Sequence, residues 1–168
     1  MKKITKKDDS KKYYREEALK RASSILELAN QNERKYEIAG SYRRGLEFVG
    51  DLDIVALKND IYWWHWAVGS VGGIPWAMGD RNLDFSIDEF PINIRFFDGK
   101  EWGAGLLYFT GSKKFNIICR EKAYEKGYLL NQYDLFDRET EAALNLGRKE
   151  AWILEKLGLM DYLSPASR

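Results

Sequence analysis

Two carboxylates, Asp51 and Asp53, stand two residues apart in Asp51-Leu-Asp-Ile-Val-Ala-Leu57. The run alternates acidic and apolar residues and is β-branched in its middle, which predicts a strand. Side chains two apart on a strand share a face. Carboxylates so placed suit divalent cations, hard ions that take oxygen ligands. Two such ions, about 3.5–4 Å apart, can activate a hydroxyl nucleophile and stabilise an in-line displacement at phosphorus. Spacing alone says little. Acids make up 26 of the 168 residues, so roughly four acid-x-acid triplets arise by chance. Asp137-Arg-Glu139 and Glu139-Thr-Glu141 are two of them. In isolation the pair reads as a solvated strand face.

What lies just upstream changes that reading. Gly40-Ser41-Tyr42-Arg43-Arg44-Gly45 follows a short apolar stretch, Lys35-Tyr-Glu-Ile-Ala. Gly40 lets backbone come close to a phosphate. Ser41 brings a hydroxyl and a helix-start N–H, which attract anions. Arg44 offers a planar fork that neutralises phosphate. Gly50 again permits close approach just before the acids. Strand, phosphate-gripping turn and metal-gripping strand all serve one substrate, a triphosphate with its metal. A polar turn between two strands is the plainer alternative. Other chemistries are short of residues. One cysteine, Cys119, excludes an internal disulfide framework or a Cys-rich zinc site. One histidine, His65, excludes His–His metal motifs and leaves little scope for a His-based triad.

The surrounding elements must hold these groups in place. Lys2–Lys12 reads as a frayed basic arm. Tyr14, Ala18, Ala22, Ile25, Leu26 and Ala29 recur at helical spacing and predict an amphipathic helix over Tyr13–Asn30. Ser41–Gly45 reads as a turn into one helical turn. Asn59 or Asp60 can cap a helix through Ile61–Val68, ended by the glycines at 69, 72 and 73. Pro75–Met78, Leu83–Ile87 and Ile92–Phe97 suggest an antiparallel meander. Beyond Gly103 the texture turns helical: Leu106–Phe109 and Ser112–Lys126, broken at Gly111, with Gly127 as C-cap. Tyr128–Asn131 and Tyr133–Phe136 could pair as a hairpin, and Arg148–Leu157 is a last helix closed by Gly158. Trp63, Trp64 and Trp66 cover several faces of one predicted helix, so at least one meets solvent or a partner. His65 reads as structural.

The segment Gly40–Asp53 resembles the signature of the nucleotidyltransferase superfamily and, within it, the X-family DNA polymerases of the DNA polymerase beta type. A second cluster is similar to that family's nucleotide-selection subdomain, called thumb or fingers: Leu107-Tyr-Phe-Thr-Gly-Ser112, Phe115-Asn116, Arg120, Ala123, Glu125-Lys-Gly-Tyr128, Leu130-Asn131 and Tyr133. The resemblance runs from about Tyr13 to the end. It implies an α+β fold: a nucleotidyltransferase palm with a mixed or antiparallel sheet and helices, then a small, mainly helical C-terminal subdomain with a short hairpin. The palm would span 1–104, with its basic arm at 1–12, and the nucleotide-selection subdomain 105–168. Asp51 and Asp53 would bind two Mg²⁺ ions, with Mn²⁺ as a substitute. Gly40, Ser41, Arg44 and Gly50 would hold the triphosphate. Tyr108 and Phe109 would line sugar and base, with backbone near Tyr108 excluding a ribose 2′-hydroxyl. Gly111–Ser112 corresponds to a cis peptide, and Asn116 would reach the minor-groove edge of the incoming base. Arg120 would touch the template strand, and Lys113, Lys114 and Tyr133 would add DNA contacts.

Departures from the pattern carry their own expectations. The family's third metal-binding carboxylate falls on Asn93 in Pro91-Ile-Asn-Ile-Arg95. An amide keeps the shape and a carbonyl oxygen but loses the charge and cannot take a proton from the primer hydroxyl. Two explanations stand: a deliberate Asp-to-Asn change made to trap a substrate complex, or a naturally weakened site. The intactness of all else favours the first. Asp84, Asp88 and Glu89 are near but wrongly spaced for the third position. Val49 replaces a serine that contacts phosphate, Lys113 an aspartate, and Ile117 a lysine that stacks on the template base. Only about 40 residues precede Gly40, so the family's lyase and helix-hairpin-helix parts are not expected, and the layout resembles its smallest viral member.

The sequence therefore reads as a minimal, gap-filling DNA polymerase, crippled by Asn93. Its expected partners are gapped or primer–template DNA and a deoxynucleoside triphosphate. A soluble, intracellular monomer without membrane contact is expected, since a lone cysteine suits a reducing compartment and no apolar run spans a bilayer. Net charge is +1, so DNA affinity must come from local basic surface. Two rivals remain, a small-molecule or protein nucleotidylyltransferase and a catalytically retired DNA- or nucleotide-binding module.

Overall fold

The computed structural model describes residues 11–168; most of the lysine arm lies outside them. The chain opens with a two-residue strand, β1 (Tyr13–Tyr14), and runs directly into helix α1 (Arg15–Gln31). Ala18, Ala22, Ile25, Leu26 and Ala29 form the buried stripe of α1, as the periodicity predicts. The aromatic that joins them is Tyr13 rather than Tyr14: Tyr13 pairs with Val49 and is buried, and Tyr14 packs outside on Phe48. Strand alternation, not helical spacing, governs that pair, because the helix starts at Arg15.

Next come β2 (Tyr36–Ile38), a single helical turn α2 (Gly40–Arg43), β3 (Phe48–Val49) and β4 (Leu52–Leu57). A 3₁₀ turn leads to α3 (Ile61–Ser70), which is followed by β5 (Ile74–Gly79), β6 (Asn82–Ile87) and β7 (Phe90–Phe97). Asp60 precedes α3 but makes no capping bond; its carboxylate accepts from Arg34 at 2.8 Å instead. Five strands form one sheet in the order β2-β4-β7-β6-β5. β5, β6 and β7 form the expected antiparallel meander, and β4 pairs with β7 in parallel. The parallel pairing requires the long crossover that α3 and the meander supply.

Alternation sorts the two faces. Leu52, Ile54, Leu83, Phe85, Ile92, Ile94 and Phe96 point to the side covered by α1 and α3, where Trp64 is fully buried. Of its neighbours, Trp63 packs edge-on against Trp64, and Trp66 remains 59% exposed. Val49, which replaces the phosphate-contacting serine of the resemblance and was expected to lose that contact, is a core residue beside Tyr13.

The opposite face carries Asp53 and Val55 on β4, and Asn93, Arg95 and Phe97 on β7. Its Val55–Phe97 end is covered by α4 (Trp102–Thr110) through Trp102 and Leu106. Contact is close: a Cβ on Gly105 would lie 2.6 Å from the Phe97 ring. α4 also contributes Ala104 and Leu107 to a second core, with α5 (Lys113–Glu125), Leu135 of the β8 (Tyr128–Leu130)–β9 (Leu135–Asp137) hairpin, and α6 (Glu150–Leu157). Gly158 closes α6 in the left-handed conformation. Among the described residues no helix is long and apolar enough to cross a membrane.

Cys119 lies in the second core, 1% exposed, and burial pushes its thiol up to about 12. The thiolate is the reactive form. In native protein at pH 8 a disulfide reagent should therefore leave Cys119 almost unmodified, and denaturant should expose it at once. Rapid native labelling would contradict this packing.

Candidate active site

At the end of the sheet that α4 leaves uncovered, the alternation of β4 and β7 brings polar side chains together. Asp53 and Asn93 are register partners across the parallel ladder, and Asp51 precedes β4 by one residue. Asn93 Nδ2 donates to Asp51 Oδ2 at 3.0 Å and to Asp53 Oδ1 at 3.1 Å. The three expected residues thus converge. Among the described residues no three acidic, histidine or cysteine side chains gather with metal-binding geometry; at this point the third group is an amide.

Asp84 is the register partner of Asn93 on its other side, on β6. Its carboxylate is held by Arg95, with one short contact and a second at 3.4 Å. Asp88 and Glu89 sit exposed in the β6–β7 turn with positive φ.

The turn upstream folds against this pair. Gly40 has φ +58°, and a Cβ there would collide with Asp53 Oδ2. Only glycine meets both demands. Ser41 and Arg44 follow within α2 and its C-cap. Arg44 donates to the Thr110 carbonyl oxygen at the end of α4. Burial lowers its pKa, and the charge of Asp53 opposes that; a guanidinium stays cationic regardless.

A cleft of about 490 Å³ opens between these groups and the second core. One wall is Gly40, Ser41, Arg44, Asp51 and Asp53; the other is Tyr108, Phe109, Gly111, Lys113, Asn116 and Arg120. Gly111 has φ +66° and its peptide to Ser112 is cis, as the resemblance implies. Ser112 Oγ then caps α5 by accepting from Phe115 N–H at 3.2 Å. Asn116 Nδ2 donates to the Tyr108 carbonyl at 2.7 Å, tying α5 to α4 across that break.

Four expected site residues do not line the cleft: Asn93, whose amide is turned onto the two aspartates, and three others. Gly50 lies behind the acids, near the backbone of Lys11. Lys114 is exposed on α5. Tyr133 is half-buried, 6.0 Å from the Phe97 ring and 4.8 Å from the Arg81 guanidinium, because the hairpin folds it back onto α4 and the sheet.

Sequence reasoning missed the groups that hold α2 in place. Arg43 donates both Nη atoms to Glu150, at 2.8 and 2.7 Å, and also to Thr110 Oγ1 at 2.8 Å. Arg168, whose side chain is fully buried, donates to the same Glu150 at 2.8 Å. Partners 107 residues apart leave no local signal; the only hint was Arg43 beside Arg44.

The donor set suits a hard divalent cation: two carboxylates side by side, with an amide that can turn its oxygen inward. Asp51 and Asp53 are the residues that would hold it.

Gly40→Ala tests the construction. It should destabilise the fold by about 1–3 kcal/mol through the left-handed backbone and weaken Mn²⁺ binding by displacing Asp53. Urea unfolding and Mn²⁺ titration read the two effects. Unchanged values in both would show that Gly40 does not set the position of Asp53.

Comparison with known proteins agrees with this layout. Residues 105–168 match the DNA polymerase beta thumb family. The fold as a whole is similar to polymerase beta of Leishmania infantum, solved as a ternary P/T complex, with a TM-score of 0.77 and 24% identity over 96% of this chain and 78% of that one. Residues 105–168 thus match a DNA polymerase beta thumb, and the chain as a whole has a polymerase beta-like fold whose sheet presents Asp51, Asp53 and Asn93 at its open end.

Proposed function

We propose that the chain is a template-directed DNA polymerase that extends a primer 3′-hydroxyl at gaps in DNA, using two Mg²⁺ ions, for which Mn²⁺ can substitute. One observation carries this reading: the carboxylates at the open end of the sheet and the phosphate-gripping turn face, across a single cleft, a subdomain of the DNA polymerase beta thumb family. A primer–template complex of a similar fold supports DNA as the partner. The proposal includes the expected division into a palm over 1–104 and a nucleotide-selecting subdomain over 105–168.

Each wall has its share of the work. Ser41 and Arg44 bind and orient the triphosphate, since Arg44 supplies a cationic fork fixed by Thr110. Tyr108 and Phe109, half-buried and packed edge-on at 5.0 Å, present ring faces to sugar and base. Asn116, held by the Tyr108 carbonyl, faces the base edge. Lys113 and Arg120 at the cleft, with Lys114 beside them, neutralise DNA phosphates. Bound divalent ions would neutralise charge on the triphosphate and lower the pKa of the attacking hydroxyl. Catalysis of this kind is mostly positioning and electrostatics.

Asn93 limits the reaction. A carboxylate at this position would orient the primer hydroxyl and accept its proton; an amide does neither. As it stands, Asn93 donates to both acids, an arrangement that a cation must displace. General-base contributions are typically about 10²–10⁴-fold. The chain should therefore bind gapped DNA and nucleotide but extend primers very slowly. Asn93→Asp should raise extension by at least about 10²-fold and tighten Mn²⁺ binding in titrations without DNA. Asp53→Asn on that background should abolish both gains. Equal rates with and without Asn93→Asp would remove Asn93 from the reaction and make Asp84, its β6 neighbour, the next carboxylate to examine.

A further inference from the structure

A second groove, of about 510 Å³, shares α2 with the cleft but none of its lining residues. It runs along β2, the edge strand, and gathers Arg15, Arg34, Lys35 and Arg43 around a single acid, Glu37. Two of the cations are already neutralised: Arg34 donates to Asp60 at 2.8 Å and Arg43 to Glu150. Arg15 and Lys35 have no carboxylate within ion-pair distance among the described residues. The Arg15 guanidinium lies 4.2 Å from the Tyr42 ring centroid, and Lys35 Nζ lies 4.4 Å from the Trp102 ring. The Nε atoms of Arg15 and Arg34 are buried without a hydrogen-bond acceptor. Buried donors left unmade are costly and uncommon in folded proteins. A ligand that suits the guanidinium of Arg15 and the exposed ammonium of Lys35 is anionic and rich in acceptor oxygens.

We infer that this groove is a second nucleic-acid contact, gripping phosphates of a DNA strand outside the cleft; the inference rests on the polymerase reading above. Guanidinium forks match phosphate oxygens in pairs. Tyr36 and Tyr42 line the same groove, and aromatic faces take bases of any sequence. The chain's net charge of +1 gives DNA no general attraction, so affinity has to come from local clusters of this kind. Because Tyr42 and Arg43 face the groove while Ser41 and Arg44 face the cleft, a strand held here would bear on the same helical turn that holds the triphosphate.

The test is fluorescence anisotropy with a labelled single-stranded oligonucleotide and a labelled gapped duplex, across a salt series. The full chain is compared with Lys35→Ala, Arg15→Gln and the double variant. Each lost phosphate contact should make the log–log salt slope shallower by about 0.7 for the single strand and about 0.9 for the duplex. Nucleotide affinity, read separately, should not change. Arg15 packs on Tyr42, so its variant can disturb the fold; Lys35 is exposed, and Lys35→Ala decides the question alone if the others unfold. Wild-type affinity and slope in Lys35→Ala, alongside losses in Arg120→Ala, would overturn the groove and leave the polymerase reading intact. No salt-dependent DNA binding by the unaltered chain would overturn both.

Discussion

The parallel ladder between β4 and β7 is the constraint on which the rest of this structure depends. It lies at the centre of the sheet, and it sets Asp53 opposite Asn93. Side chains alternate strictly along strands, so a slip of one residue would turn Asp53 and Asn93 into the core and bring Ile54 and Ile94 to the surface. The apolar sets of the two strands, buried under α1 and α3, exclude that slip. Hydrophobic burial on one face thereby fixes polar geometry on the other. A parallel pair also needs a crossover, and the α3–β5–β6 excursion provides it while placing Asp84, paired with Arg95 of β7, at the flank of the site.

The second requirement is that the cleft have two walls held at a fixed distance. α4 meets it by belonging to two cores at once, touching Val55 and Phe97 of the sheet through Trp102 and Leu106, and the helical subdomain through Ala104 and Leu107. Polar bonds then lock α2 to the far wall. Arg43 binds Thr110 and Glu150, Arg44 binds the Thr110 carbonyl, and Arg168 shares Glu150. The pairs are largely shielded from water, so each partner is needed: removing one strands the other's charge. The turn at Gly40–Gly45 is accordingly positioned by the same residues that join the two halves.

Asn93 fits this scaffold without disturbing it. Aspartate and asparagine are nearly isosteric, and the amide finds two acceptors in Asp51 and Asp53. Neighbouring carboxylates repel one another without a cation between them; here amide hydrogens lie between them. An asparagine here is thus compatible with the fold and the cleft, and it places no negative charge of its own between the two aspartates.

What the sequence determined by itself is what short-range physics controls. The turn at Gly40–Gly45, the alternation at Asp51–Leu57, the stripe of α1, the meander and the glycine-ended helices were all legible, because turn chemistry, periodicity and capping act over a few residues. The likeness of Leu107–Tyr133 to a thumb subdomain was legible too, since it rests on local motifs. Long-range pairing decided the remainder. That Asn93 reaches both aspartates is a matter of strand register. That Asp60 serves Arg34 rather than capping α3 depends on where α1 ends. Tyr133 turns inward because the hairpin docks against Phe97 and Arg81. The Arg43–Glu150–Arg168 lock and the cationic groove behind α2 join residues distant in the chain. No local pattern encodes such meetings, because they exist only once the apolar faces have packed.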